Sequence, residues 1–154
     1  MKTKLKDVIV LLPGIMGSAL ADKNGKSVWD VNIGALCRAF HTLGGSLKDL
    51  ALRSDESQGD GVTATHLIPD VHMIPHFWKI DGYSGITEYL DSKYELVTGE
   101  NYFEFPYDWR LDNRIAARRL NSAAQEWLER RRSLYPDARL VLLAHSMGGL
   151  VARH

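Results

Sequence analysis

Ser146 stands between the apolar run Leu140-Val141-Leu142-Leu143-Ala144 and the small-residue step Met147-Gly148-Gly149, with His145 just before it. A buried strand that turns sharply into a helix lifts the residue at its apex out of the sheet. So tight a turn demands small residues two before and two after the apex, the places of Ala144 and Gly148. The string fits the nucleophile-elbow pattern G-x-S-x-G with alanine for the first glycine, which makes Ser146 a candidate nucleophile for acyl transfer. The Met147 N–H, at the helix start, is placed to meet a developing negative charge. A second donor is expected from the loop after a neighbouring strand. Pro13-Gly14-Ile15-Met16-Gly17-Ser18 follows the apolar run Val8-Ile9-Val10-Leu11-Leu12, and its glycines allow close backbone approach. The N–H of Ile15, ahead of that of Met16, is therefore the second candidate oxyanion donor.

These groups must be held by a sheet. Along the chain the units alternate strand, insertion, helix, strand, helix, strand and helix start, which predicts an α/β fold with a mainly parallel sheet flanked by helices. The three core strands are expected at residues 7–12, 102–105 (closed by Pro106) and 139–144, in spatial order two, one, three. A short helix is expected at 86–93, before Gly99. The clearest helix is 113–134, with Ala116, Leu120, Ala123, Trp127 and Leu134 on one face and arginines opposite. Asp112 suits its N-cap and Pro136 stops it. Residues 22–85 break the rhythm and read as a cap-like insertion within a single domain spanning 1–154. Short helices at 33–40 and 47–53, a polar loop at 54–61 and a strand at 62–68 are expected there. Trp29, Phe40, Met73, Ile74, Phe77 and Trp78 either bury the insertion's own core or line an acyl-chain site.

Composition narrows the partners. Nineteen Lys and Arg balance nineteen Asp and Glu, so no overall field draws the chain to nucleic acid or an anionic membrane. The arginines crowded at 114–132 read as a solvated helix face. Cys37 is the sole cysteine, which precludes an internal disulfide or a cysteine zinc site and favours a reducing compartment. No apolar run approaches the roughly 20 residues of a bilayer span, so the chain reads as soluble or at most peripheral to a lipid surface. Lys2, Lys4 and Lys6 before an apolar stretch, and Ala19-Leu20-Ala21 after it, imitate a secretory signal. Asp7 and Pro13-Gly14 interrupt that stretch, so it reads as a buried strand and the expected compartment is the cytoplasm.

Three segments together carry a resemblance. Pro13-Gly14-Ile15-Met16-Gly17-Ser18, Phe105-Pro106-Tyr107-Asp108-Trp109-Arg110 and Ala144-His145-Ser146-Met147-Gly148-Gly149 are similar, in order and separation, to the signatures of the lecithin:cholesterol acyltransferase-like family of α/β-hydrolases. The likeness covers essentially the whole chain and is weakest across 30–85. It implies a partial α/β-hydrolase fold and acyl transfer from a lipid or other ester through a seryl ester on Ser146, to water or an alcohol acceptor, with no cofactor. The family's acid lies beyond the serine, so Asp108 is expected to brace its loop by hydrogen bonds or a pair with Arg110, and Trp109 to pack near the acyl site.

A serine nucleophile needs a base, and the base an orienting carboxylate, in the order Ser, acid, His in such folds. Residues 147–154 contain no acid. His154 lies about 12 Å along the helix, beyond the ~3 Å of a hydrogen bond. His145 should project the other way from the turn. His41, His66, His72 and His76 precede the elbow with no spacing that ties them to it. His72 and His76 have the i,i+4 spacing of a metal pair on a helix, but Pro75 argues against a helix there, and no metal is expected. The chain therefore reads as the N-terminal portion of a hydrolase, lacking triad acid and histidine. The alternative is a non-catalytic fragment or split half that acts only by pairing its open sheet edge with another chain.

Overall fold

The computed structural model describes residues 1–30, 60–69 and 82–154, together with the backbone of 71–74 and 78–80. It is a mixed α/β arrangement built on β2 (Val8–Leu12), whose five residues are all buried. After β1 (Thr3–Lys4), this strand runs parallel to β9 (Tyr102–Glu104) on one side and to β10 (Leu140–Ala144) on the other. The order β10-β2-β9 is the expected one. A strand walled in on both edges and both faces has no place for a polar residue, which accounts for Val-Ile-Val-Leu-Leu.

Successive β2 side chains feed opposite cores. Val8, Val10 and Leu12 join Phe103, Phe105 and Tyr107 beneath α2 (Asn113–Arg132) and α3 (Met147–Arg153), through Ala116, Ala117, Leu120 and Val151. Trp127 stacks on Phe103 with centroids 4.1 Å apart. Ile9 and Leu11 join Tyr102, Leu67 and Leu90 on the other face, where α1 (Ser84–Lys93) lies. Asp112 caps α2 as expected, its carboxylate accepting the Arg114 N–H. The Arg114 side chain, together with that N–H, holds the Asp112 carboxyl below its ordinary range.

The face of α2 needs correction. The helix ends at Arg132, and Leu134, beyond the Ser133 cap, is 68% exposed; Ala124 is buried where Ala123 is only half-buried. Nor is every arginine solvated. Arg131 is buried, donates to the carbonyls of Leu5 and Lys6, and lies 4.5 Å over the Tyr135 ring. A guanidinium presents several donors in a fixed fork, so it can satisfy carbonyls at a strand entrance where a hydrocarbon would leave them bare.

A second, antiparallel sheet takes up sequence read as loop or insertion. β3 (Ser18–Ala21) lies between β4 (Ser27–Trp29) and β5 (Thr63–Leu67), the last within the strand expected at 62–68. Ala19-Leu20-Ala21 thus lies on a strand, buried or half-buried. The β3–β4 turn closes around Asp22, whose carboxylate accepts the N–H groups of Asn24 and Lys26, with Gly25 at φ 77°. The Lys26 N–H, then that of Asn24, lower the Asp22 pKa. β6 (Val71–Ile74) pairs antiparallel with β7 (Trp78–Ile80), which puts His72 on a strand. β8 (Tyr94–Glu95) pairs with β1. The helices expected at 33–40 and 47–53 lie outside the described residues. No described helix is long and apolar enough to cross a membrane.

Burial pushes the hydroxyls of Tyr102 and Tyr107 up to about 12. A group whose folded pKa exceeds its unfolded value stabilises the fold below the unfolded value and ceases to as pH rises through the folded one. The protein is therefore expected to lose stability between pH 10 and 12. In a 295 nm titration two of its six tyrosines should ionise only as it unfolds. All six ionising together near pH 10 with the fold intact would contradict the burial argument.

Candidate active site

The turn from β10 to α3 is held by backbone bonds on both sides of Ser146. β10 stays in register with β2 to Ala144 opposite Leu12, and the His145 N–H extends the ladder by donating to Leu12 O at 3.0 Å. The chain then reverses at Ser146, with φ 52° and ψ −120°, and the Gly148 and Gly149 N–H groups donate to His145 O and Ser146 O, each at 2.9 Å. Ser146 is exposed and its hydroxyl does not cap the helix it starts. The small residue expected two positions on is sterically required. A methyl at Gly148 would stand 2.5 Å from Pro13 O and 2.9 Å from Leu12 O.

The loop after β2 meets this apex. A methyl on Gly14 would stand 3.1 Å from Ser146 Cβ, so the two turns are in contact through a glycine. Gly14 O accepts the Gly17 N–H at 3.1 Å across a tight turn with Met16 at φ 61°. Met16 and Ser146 are the two non-glycine residues with positive φ among the described residues, and they lie on the two turns that touch. Such backbone costs about 1–3 kcal/mol per residue and persists only where surroundings impose it. Among the described residues, no acceptor takes the N–H of Ile15, Met16 or Met147. The turn that carries Ile15 and Met16 thus meets the turn that carries Met147, and the positive φ of Met16 had no signal in the sequence.

Two tyrosines it did not single out brace the loop. Tyr107 O–H donates to Pro13 O at 2.8 Å, and the Tyr107 N–H donates to Ser18 Oγ. The Tyr83 hydroxyl accepts the Gly14 N–H at 2.6 Å. Burial raises the Tyr83 pKa, an effect that this N–H opposes. Trp29 Nε1–H donates to Met16 O and Trp109 Nε1–H to Ser18 O, the two indoles meeting edge to face at 5.9 Å. Position within Phe-Pro-Tyr-Asp-Trp-Arg was a signal for Tyr107. Tyr83 is 69 residues from Gly14, with no local pattern to mark it.

The pairing of Asp108 with Arg110 is present and larger than expected. Arg110 donates through Nε and Nη2 to Asp108, and through Nη1 and Nη2 to Asp60, at 2.7–3.1 Å. The three side chains are 4%, 4% and 7% exposed for Arg110, Asp108 and Asp60. Arg110 holds the Asp60 carboxyl below its ordinary range. Its own guanidinium is held charged chiefly by its bonds to Asp108. The network ties the return of the 22–85 segment to the loop after β9.

No described histidine is hydrogen-bonded to Ser146, although His145 does not project away from it as expected: its Nδ1 and Ser146 Cβ both lie 3.1 Å from where a methyl on Gly14 would stand. His145 Nδ1 is 3.0 Å from the Tyr83 hydroxyl, and a methyl on Gly14 would stand 3.1 Å from it, so that nitrogen lies over Gly14 and Tyr83. His66 contacts Thr65 Oγ1 and lies 3.7 Å from Asp30. His154 ends the chain past α3. His41 and His76, with Phe40 and Phe77, lie outside the described residues, as do the side chains of His72, Met73, Ile74 and Trp78. Among the described residues no group of three or more His, Cys, Asp or Glu could hold a metal ion.

No family model matches the chain. It is 28% identical over 151 residues, 97% of its own length, to the "uncharacterized protein YJR098C" of Saccharomyces cerevisiae, and spans 20% of that protein's length.

Proposed function

We propose that Ser146 is the nucleophile of a lipid O-acyltransferase or lipase, on part of an α/β-hydrolase fold like that of the lecithin:cholesterol acyltransferase-like family. Ser146 Oγ bonds to the carbonyl carbon of an ester, the carbonyl π pair moves to oxygen, and the Ile15 and Met147 N–H groups receive the oxyanion. Collapse breaks the C–O bond to the departing alcohol and leaves a seryl ester, which water or an acceptor alcohol then attacks. The serine proton passes to a base and on to the leaving group. Among the described histidines His66 and His145 bond to Thr65 and Tyr83 and His154 lies past α3, so none of them stands bonded to the Ser146 hydroxyl as that base. The observation that carries the reading is the contact of two strained turns, one with an exposed hydroxyl and a free amide, the other with free amides. Exposed Ile15 and Met16 beside the serine suit an apolar acyl group at a lipid surface. The burial of Val8–Leu12 as the central strand supports a cytoplasmic setting.

An alkyl fluorophosphonate tests this. Donors without a base keep part of their rate advantage. The chain should therefore label at Ser146 alone, roughly a thousandfold or more slower than a hydrolase with its base, and Ser146→Ala should abolish the adduct. Labelling scattered over several serines, or absent, would refute the assignment. It would favour the second reading, association through β10, for which the 43% exposed Val141 on that strand speaks.

A further inference from the structure

We infer that Tyr83 is the positioning residue that sets the Ile15 amide against the elbow, an inference that rests on the reading of Ser146 as nucleophile. Its hydroxyl oxygen touches both loops. The Gly14 N–H donates to it at 2.6 Å, and His145 Nδ1 stands 3.0 Å away. A phenol oxygen that accepts one hydrogen bond still has its own proton to give. That proton can go to His145 Nδ1, or an Nδ1–H can donate to the oxygen's second lone pair; either way the hydroxyl bonds to both residues. One hydroxyl thus joins the residue before Ile15 to the residue before Ser146.

The bracket fixes a peptide plane. Gly14 is held at its N–H by Tyr83 and at its carbonyl by the Gly17 N–H, 3.1 Å away. Because the Gly14–Ile15 peptide is planar and trans, its N–H points opposite to that carbonyl. Fixing Gly14 at both ends therefore aims the Ile15 N–H. Tyr83 is itself anchored. Its N–H donates to Ile68 O at 3.0 Å, and its carbonyl accepts from the N–H and hydroxyl of Thr87. The ring fills the space over Gly17, where a methyl would come within 2.8 Å of the Tyr83 oxygen. Oxyanion donors act only when held at the place where the charge forms, and a displacement of about 1 Å costs on the order of 100-fold in rate.

Tyr83→Phe keeps the ring and removes the hydroxyl. The probe is the same fluorophosphonate: Ser146 Oγ bonds to phosphorus, the P–F bond breaks, fluoride leaves and the serine proton passes to buffer. The expected result is a kinact lower by about 10- to 100-fold with KI within twofold, and adducts still confined to Ser146. A hydroxyl serving only the fold would leave kinact unchanged in molecules that unfold cooperatively, and that outcome overturns the inference. Amide hydrogen exchange in the unaltered chain decides the matter should the variant not fold. Gly14 must exchange at least about tenfold more slowly than Ile15, and equal rates overturn the bracket. Failure of the unaltered chain to label at Ser146 would instead remove the nucleophile reading, a separate result from free exchange at Gly14.

Discussion

Replacing Arg110 with alanine is expected to destabilise the fold by about 3–5 kcal/mol, read as a lowered urea midpoint with little change in slope. The reason is what the substitution leaves behind. Asp60 and Asp108 are both nearly inaccessible, and the guanidinium serves two carboxylates at once, bidentate to each. An uncompensated buried carboxylate must protonate or draw in water, and two facing each other also repel. Arg110→Lys should recover less than half the loss, because one ammonium cannot reproduce two planar forks. Domains of this kind have about 5–15 kcal/mol to lose, so Arg110→Ala is expected to leave a marginal protein. A loss below 1 kcal/mol, the range of exposed pairs, would mean the network is solvated and does not tie the chain at Asp60 to the loop after β9.

That network shows where reading the chain as sequence succeeded and where it stopped. Patterns carried by neighbours were legible: the apolar run of β2, the strand–Ser–Gly step of β10 and α3, the 3.6 period of α2 and its Asp112 cap, and the local pairing of Asp108 with Arg110. Asp60 was not legible, being 50 residues from its guanidinium. Tyr83 was missed for the same reason. Arg131 was misplaced because an arginine on a basic helix reads as solvated unless the strand entrance it serves is known. β3 and β4 were overlooked for a different cause. Ala19-Leu20-Ala21 has little strand propensity, and its burial comes from pairing with Thr63–Leu67 more than 40 residues on. The available local signal was Asn24-Gly25 in the turn.

The two adjacent glycines of the elbow should respond in opposite directions to the same methyl group. At Gly148 the added carbon would meet Pro13 O at 2.5 Å and Leu12 O at 2.9 Å. Neither oxygen is free to yield: Pro13 O holds the Tyr107 hydroxyl, and Leu12 O holds the His145 N–H that keeps β10 in register with β2. Relief requires breaking one of those bonds or moving α3 off the sheet, so Gly148→Ala is expected to cost roughly 3 kcal/mol or more and to lower Ser146 labelling. At Gly149 a methyl meets nothing within 4 Å, and the residue lies in the first turn of α3. There alanine only restricts the unfolded chain and favours helix, so Gly149→Ala should stabilise by a few tenths to about 1 kcal/mol. Paired thermal melts separate the cases, since a general intolerance of the helix start to side chains would shift both midpoints downward. Opposite shifts would tie the requirement to one contact, between the residue two after the serine and the carbonyl leading into the Ile15 turn. Through that contact the strand step that exposes the hydroxyl also fixes how close the amides of the other loop can come.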